Sequence, residues 1–303
     1  MQVDRQGPAN ASIIKVFEPF TLSCVVIIQL DHPPFKGRFL LKLYDRRFAT
    51  QLRRDEKASP WCPQIESKYL EFVRDGRASE FFDLCTAKYR EDEYWADDQR
   101  ETWNEAQHEA YLQYLCRRTY DMEKDAYKKL HDMQGKHIPR LFARPVLQSS
   151  SDSGSANEYL DCPAILLEYI EGLPLTTLAD NAPKKDWQSV CEDAIRVVHM
   201  IGDRGICNKD VRTRSFIVRE DPETKKFDVF MIDFGLCVFR SQAKSDPEFN
   251  EWQADEDEEG AVGRVMERNL KGGFNYHLSP RAEWLLDEFK SEEWSVCYVT
   301  GGS

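Results

Sequence analysis

The chain has 303 residues, a hydrophobic content of 41%, an aromatic content of 12% and a formal net charge of −12. That composition supplies a core for one large domain or two lobes and argues against a disordered chain. The acid excess argues against non-specific attraction to nucleic acid or to an anionic membrane, so neither is expected as a partner. Nine cysteines lie scattered with no C-x-x-C pair, which disfavours a zinc ribbon or thioredoxin-type site. The odd count, the polar start and the lack of a bilayer-length apolar run lead us to expect reduced thiols in a soluble, intracellular protein, cytoplasmic or nuclear.

In chain order, the β-rich runs 13–20 and 24–30 predict two strands, followed by a turn at Asp31-His32-Pro33-Pro34. A third strand over 39–44 carries one cation, Lys42, among apolar residues. From about 51 to 118 the composition turns charged and aromatic. Residues 68–73 and 78–84 predict amphipathic helical pieces, and 94–118 predicts one long helix that continues through 121–133. Residues 138–147 read as strand, 149–155 as a Ser/Gly-rich surface loop, and 164–170 as a buried strand leading to Glu171-Gly172. An amphipathic helix over 187–204 places Val190, Ala194, Val197, Val198 and Ile201 on one face. Helix is also predicted in the C-terminal half of 251–270 and over 280–289.

Two aspartates stand in distinctive frames. One lies in Cys207-Asn208-Lys209-Asp210-Val211-Arg212-Thr213-Arg214-Ser215-Phe216-Ile217-Val218, the other in Val229-Phe230-Met231-Ile232-Asp233-Phe234-Gly235. A loop whose central Asp is followed by cations and an apolar strand, then a strand ending in Asp-Phe-Gly, resembles the catalytic core of the protein-kinase superfamily. The segments Leu41-Lys42-Leu43-Tyr44-Asp45-Arg46-Arg47-Phe48, Glu123-Lys124-Asp125-Ala126-Tyr127-Lys128-Lys129-Leu130 and Leu167-Glu168-Tyr169-Ile170-Glu171-Gly172 are similar to a fungal group of protein-kinase-like sequences. The resemblance runs from about residue 13 to 270, and the order of the motifs carries most of its weight.

The resemblance implies an α+β, bilobal protein-kinase-like fold. Its N-lobe, 13–170, would hold a small antiparallel sheet and a helical insertion over about 51–118; its C-lobe, 171–303, would be mainly helical. ATP and Mg²⁺ are the implied cofactors, and the implied reaction moves the γ-phosphate to a hydroxyl, nominally Ser/Thr of a protein, with a small-molecule acceptor left open. Lys42 would contact the α- and β-phosphates and Glu123 would hold it in place. Glu168 and Ile170 would offer backbone groups to adenine, with Leu167 as gatekeeper. Asp210 would orient the acceptor hydroxyl, Arg212 would steady the γ-phosphate, and Asp233 would coordinate Mg²⁺, with Ser215 at the second metal position. Arg214 is expected to structure the loop.

Three departures bear on this reading. The family's catalytic-loop His is Asn208 here, and its metal-binding Asn is Ser215, whose shorter hydroxyl reaches less far toward a cation. The glycine-rich loop is missing, since Glu18-Pro19-Phe20-Thr21-Leu22-Ser23 has no glycine, and only Thr21 and Ser23 could donate hydroxyls. No Ala-Pro-Glu follows Asp233. A pseudokinase, binding nucleotide or serving as a scaffold with a protein partner at the helical insertion, is therefore the alternative. Among minor features, the acidic run Asp255-Glu256-Asp257-Glu258-Glu259-Gly260 lacks EF-hand spacing and is expected to be a solvated face. His199 is expected to be structural, and the tryptophans to pack the core or insertion.

Overall fold

A computed structural model of the chain describes residues 10–92, 94–148 and 158–289. Its elements are α+β and its contacts divide it into two compact units, Met1–Asp121 with Leu141–Tyr169, and Met122–Arg140 with Ile170–Ser303.

In the first unit, β1 (Ala11–Phe17), β2 (Cys24–His32), β3 (Phe35–Leu43), β4 (Leu141–Ala143), β5 (Val146–Leu147) and β6 (Cys162–Glu168) form one antiparallel sheet. Its order is β1-β2-β3-β6-β4, with β5 also on β6. Alternation along β2 sends Val26, Ile28 and Leu30 to one face, where they pack with Phe39 and Leu166. The rings of Phe35, Phe39 and Phe142 meet edge to face there. The strand predicted over 138–147 is instead two short pieces; Pro139 and Pro145 lack the N–H that a continuous ladder needs.

The helical stretch holds α1 (Thr50–Asp55), α2 (Pro63–Arg74), α3 (Arg77–Glu91), α4 (Ala96–Gln99) and α5 (Glu105–Lys129). The single helix predicted from 94 is broken before α5 by a reciprocal cap. Asn104 Oδ1 accepts the Gln107 N–H, and Gln107 Oε1 accepts the Asn104 N–H. Tyr69, Phe72, Phe81 and Tyr111 form an aromatic core against which Trp95 and Trp103 pack, the packing role expected of those two indoles. A buried ion cluster ties α1, α2 and α5 to the chain that leaves β3. Glu109 receives both Arg46 and Arg53; Arg46 also pairs with Glu66 at 2.7 Å and lies 4.3 Å over the Tyr69 ring. Residues 122–140, expected with the first unit, cluster with the second. The Tyr127 ring there packs edge-on against Phe234, and the His137 carbonyl accepts the Met231 N–H at 2.8 Å.

The second unit contains β7 (Leu173–Pro174), β8 (Ile206–Asn208), β9 (Phe216–Glu220), β10 (Phe227–Met231) and β11 (Cys237–Phe239), in ladders β10-β9-β7 and β11-β8. Gly172 is required at the entry to β7, because a Cβ there would lie 2.5 Å from the Val218 carbonyl oxygen. Helices α6 (Leu178–Asn181), α7 (Trp187–Gly202), α8 (Asp246–Glu256), α9 (Glu258–Leu270) and α10 (Pro280–Phe289) complete it. The face predicted for α7 is the buried one, with Val190, Ala194, Val197, Val198 and Ile201 at 4% exposure or less. Asp257 separates α8 from α9 with a left-handed backbone, φ 42°, and its side chain accepts the Gly260 N–H. The loop predicted at 149–155 and Trp294 lie outside the described residues. Among the described residues, no helix is long and apolar enough to cross a membrane.

Candidate active site

The second unit gathers the Asp210 loop and the Asp-Phe-Gly segment around one buried amide. Asn208 ends β8, paired with Cys237 of β11, and is 1% exposed. Its Nδ2 donates to the Asp233 carbonyl at 3.0 Å, and its Oδ1 accepts the Asp210 N–H at 3.1 Å. One side chain thus ties together the two segments whose aspartates carry the sequence frames. An amide suits this task because it donates and accepts at the same time.

The chain between the aspartates is closed by Ser215. Its hydroxyl donates to the Asp210 carbonyl and accepts the Arg212 N–H, each at 3.3 Å, and its own carbonyl accepts the Ile232 N–H at 2.8 Å. Ser215 is 5% exposed, so its first use is to shape the loop. The Asp210 carboxylate is half-buried and held from both sides, by Arg212 Nε at 3.2 Å and Arg214 Nη2 at 3.1 Å. Both arginines are mostly exposed.

Asp233 follows β10 in the left-handed region, φ 70°, which an L side chain adopts at a cost of order 1–3 kcal/mol. The tie from Asn208 on one side and the fully buried Phe234, packed on Tyr127, on the other hold that conformation. It leaves the Asp233 residue exposed.

The acidic run across the junction of α8 and α9 corrects the expectation of a solvated face. Glu258 and Glu259 are buried, at 6% and 4% exposure. Glu258 Oε1 accepts the Asn208 N–H at 3.0 Å, and burial pushes its carboxyl up from 4.5 to about 8. Burial also raises Glu259, but hydrogen bonds from His199 and Ser279 outweigh it and hold that carboxyl near 2; the Tyr276 hydroxyl donates to it as well, at 3.0 Å. His199 is structural, as expected. A cavity of about 30 Å³, room for a water or two, adjoins Glu258 and is lined by His199, Gln253, Arg281 and Leu285. The signal for these glutamates was present in helical spacing, because Glu258 shares a face with Val262 and Met266.

The nucleotide-contacting candidates divide between the units. Lys42 is the penultimate residue of β3, opposite Val25 of β2 and Ile165 of β6 and 6% exposed; its Nζ lies 5.8 Å from the Tyr44 ring centre. Glu168 ends β6 opposite Phe39. Glu123, on α5, and Ile170 belong to the second unit and are buried. In the segment between β1 and β2, Ser23 is buried, and the carbonyls of Phe20 and Thr21 accept from Thr50 Oγ1 and the Leu52 N–H. The thiols of Cys24, Cys85, Cys162 and Cys191 are pushed by burial to about 12, which rules them out as ready nucleophiles.

No family model matches the chain. Over 75 residues, 25% of the chain, it is 35% identical to KEOPS complex subunit Bud32 of Pyrococcus abyssi. That stretch spans 31% of the Bud32 subunit, so the chain matches about a third of its curated relative's length. A solved structure similar to the chain is the PknI kinase domain of Mycobacterium tuberculosis, at 11% identity and a TM-score of 0.38, over 84% of this chain and 72% of that one.

Proposed function

We propose that the protein is a kinase-like phosphotransferase that moves the γ-phosphate of ATP to a hydroxyl acceptor. The observation that carries this reading is the Asn208 tie, which joins an arginine-flanked Asp210 to an exposed, backbone-strained Asp233. Strain kept at an exposed carboxylate points to use of that carboxylate. The partial match to Bud32 supports the same chemistry.

Mg²⁺ suits Asp233. Bound with a nucleotide, this cation takes one or two carboxylates and fills its octahedron with phosphate oxygens and water. No cage of three His, Cys, Asp or Glu side chains stands among the described residues, and such a site needs none. When bound, the ion would neutralise charge developing on the phosphates. The chain's own residues supply the rest. Asp210 accepts the hydroxyl proton as the oxygen–phosphorus bond forms, Arg212 offers its guanidinium to the phosphate oxygens, and Asn208 fixes the spacing of the two acidic segments. Lys42, Glu123, Glu168 and Ile170 keep the nucleotide-contacting roles given them by the resemblance, and Ser215 has one lone pair left for a second cation. Protein Ser/Thr is the nominal acceptor.

A second reading has its own observation. Ser215 gives its proton and one lone pair to the loop and the β1–β2 turn carries no glycine, which favours a pseudokinase that binds nucleotide and recruits a protein through the helical stretch. Incubation with γ-labelled ATP, Mg²⁺ and a panel of protein and small hydroxyl acceptors tests the choice. Transfer that is lost in Asp210→Asn supports the enzyme; ATP binding without transfer to any acceptor overturns it in favour of the pseudokinase.

A further inference from the structure

Arg214 is the residue of the loop that the proposed chemistry leaves without a task. It stands four residues after Asp210, is 68% exposed, and touches only one oxygen of that carboxylate, at 3.1 Å. Arg212, 59% exposed, takes the other oxygen. Two guanidiniums with ten N–H donors between them therefore each give one hydrogen bond to a single carboxylate. The result is a local positive surplus on a chain of net charge −12, placed at the group that would meet the acceptor.

We propose that Arg214 selects acceptors that carry an acidic group beside the hydroxyl, in particular Ser or Thr in an acidic protein segment. The inference rests on Asp210 being the carboxylate that orients the acceptor. A carboxylate on the incoming segment competes with Asp210 for Arg214 and takes the guanidinium with it. Asp210 Oδ2 is thereby released to accept the hydroxyl proton. The acceptor oxygen then bonds to the γ-phosphorus, the bond to the β,γ-bridging oxygen breaks, ADP leaves, and the proton passes from Asp210 to solvent. A basic segment would meet two arginines and is disfavoured by like-charge repulsion. A polyanion such as RNA is opposed by the charge of the rest of the chain.

The test separates selection from chemistry by reading binding. Fluorescently labelled peptides of one length, with a central Ser flanked by Glu, by Gln or by Lys, are titrated with the full chain in the presence of Mg²⁺ and a non-hydrolysable ATP analogue; a short single-stranded RNA is a fourth probe. The Glu peptide is expected to bind about five-fold more tightly than the Gln peptide, the size of one exposed charge pair, and Arg214→Glu is expected to reverse the order of the Glu and Lys peptides. Rescue of the original order by Arg214→Lys separates charge selection from a merely structural loop role. Equal binding of the three peptides, an order unchanged in Arg214→Glu, or tighter binding of the RNA than of the Glu peptide overturns the proposal. Charge-selective binding with no phosphate transfer from ATP would instead refute only the enzyme reading.

Discussion

Replacing Glu258 by Gln tests how the buried carboxyl supports the loop. Its carboxyl is pushed from 4.5 to about 8 by burial, with Glu256 adding to the rise and the Asn208 N–H and Arg281 opposing it. An acid with a raised folded-state value is protonated in the fold while the unfolded chain has released its proton. Its stabilising share is therefore complete below pH 4.5 and is lost as pH climbs to 8. The loss runs at about 1.4 kcal/mol per pH unit, roughly 5 kcal/mol in all, a ceiling because water from the adjoining cavity would ease the desolvation. Glu259, held near 2, loses its contribution only below 4.5, outside this window. Gln keeps an acceptor for the Asn208 N–H and does not titrate. Urea unfolding at pH 5, 6, 7 and 8 should show Glu258→Gln gaining on the parent chain at each step, by about 2 kcal/mol or more over the series. Parallel curves for the two proteins would refute the reasoning.

Other substitutions probe other supports. Asn208→Ala removes both ties between the Asp210 and Asp233 segments and should cost about 1–3 kcal/mol in urea unfolding, with a matching loss of Mg²⁺-dependent nucleotide affinity. Glu109→Ala leaves Arg46 and Arg53 buried with their shared carboxylate gone, and is expected to destabilise the chain by about 3–5 kcal/mol. Asn104→Ala removes the cap that starts α5 and should cost about 1 kcal/mol, read as lowered thermal stability.

The sequence was legible where one local pattern decided the structure. Short runs of β-branched and apolar residues marked β2 and the second half of β3, a 3.6-residue period marked α7, and the Asp-Phe-Gly frame marked the residue that the fold holds at φ 70°. It was misread where a side chain's partner lies far along the chain. Gln107 reaches back to cap α5 within helix-like sequence, so the break at Asn104 is invisible to periodicity. Glu258 sits in an acidic run that looks solvated until the Asn208 N–H, fifty residues earlier, is brought to it. The sequence marks Ser215 only as a shortened metal ligand, whereas in the folded loop its hydroxyl donates to the Asp210 carbonyl and accepts the Arg212 N–H.

The central claim is that Asp233 holds Mg²⁺ for a bound nucleotide, and a thermal-shift titration with ATP tests it most directly. The melting temperature of the parent chain should rise with millimolar ATP only when Mg²⁺ is present, and the rise should vanish in Asp233→Ala. An unchanged melting temperature with Mg²⁺ and ATP, or an equal rise in Asp233→Ala, would contradict the account.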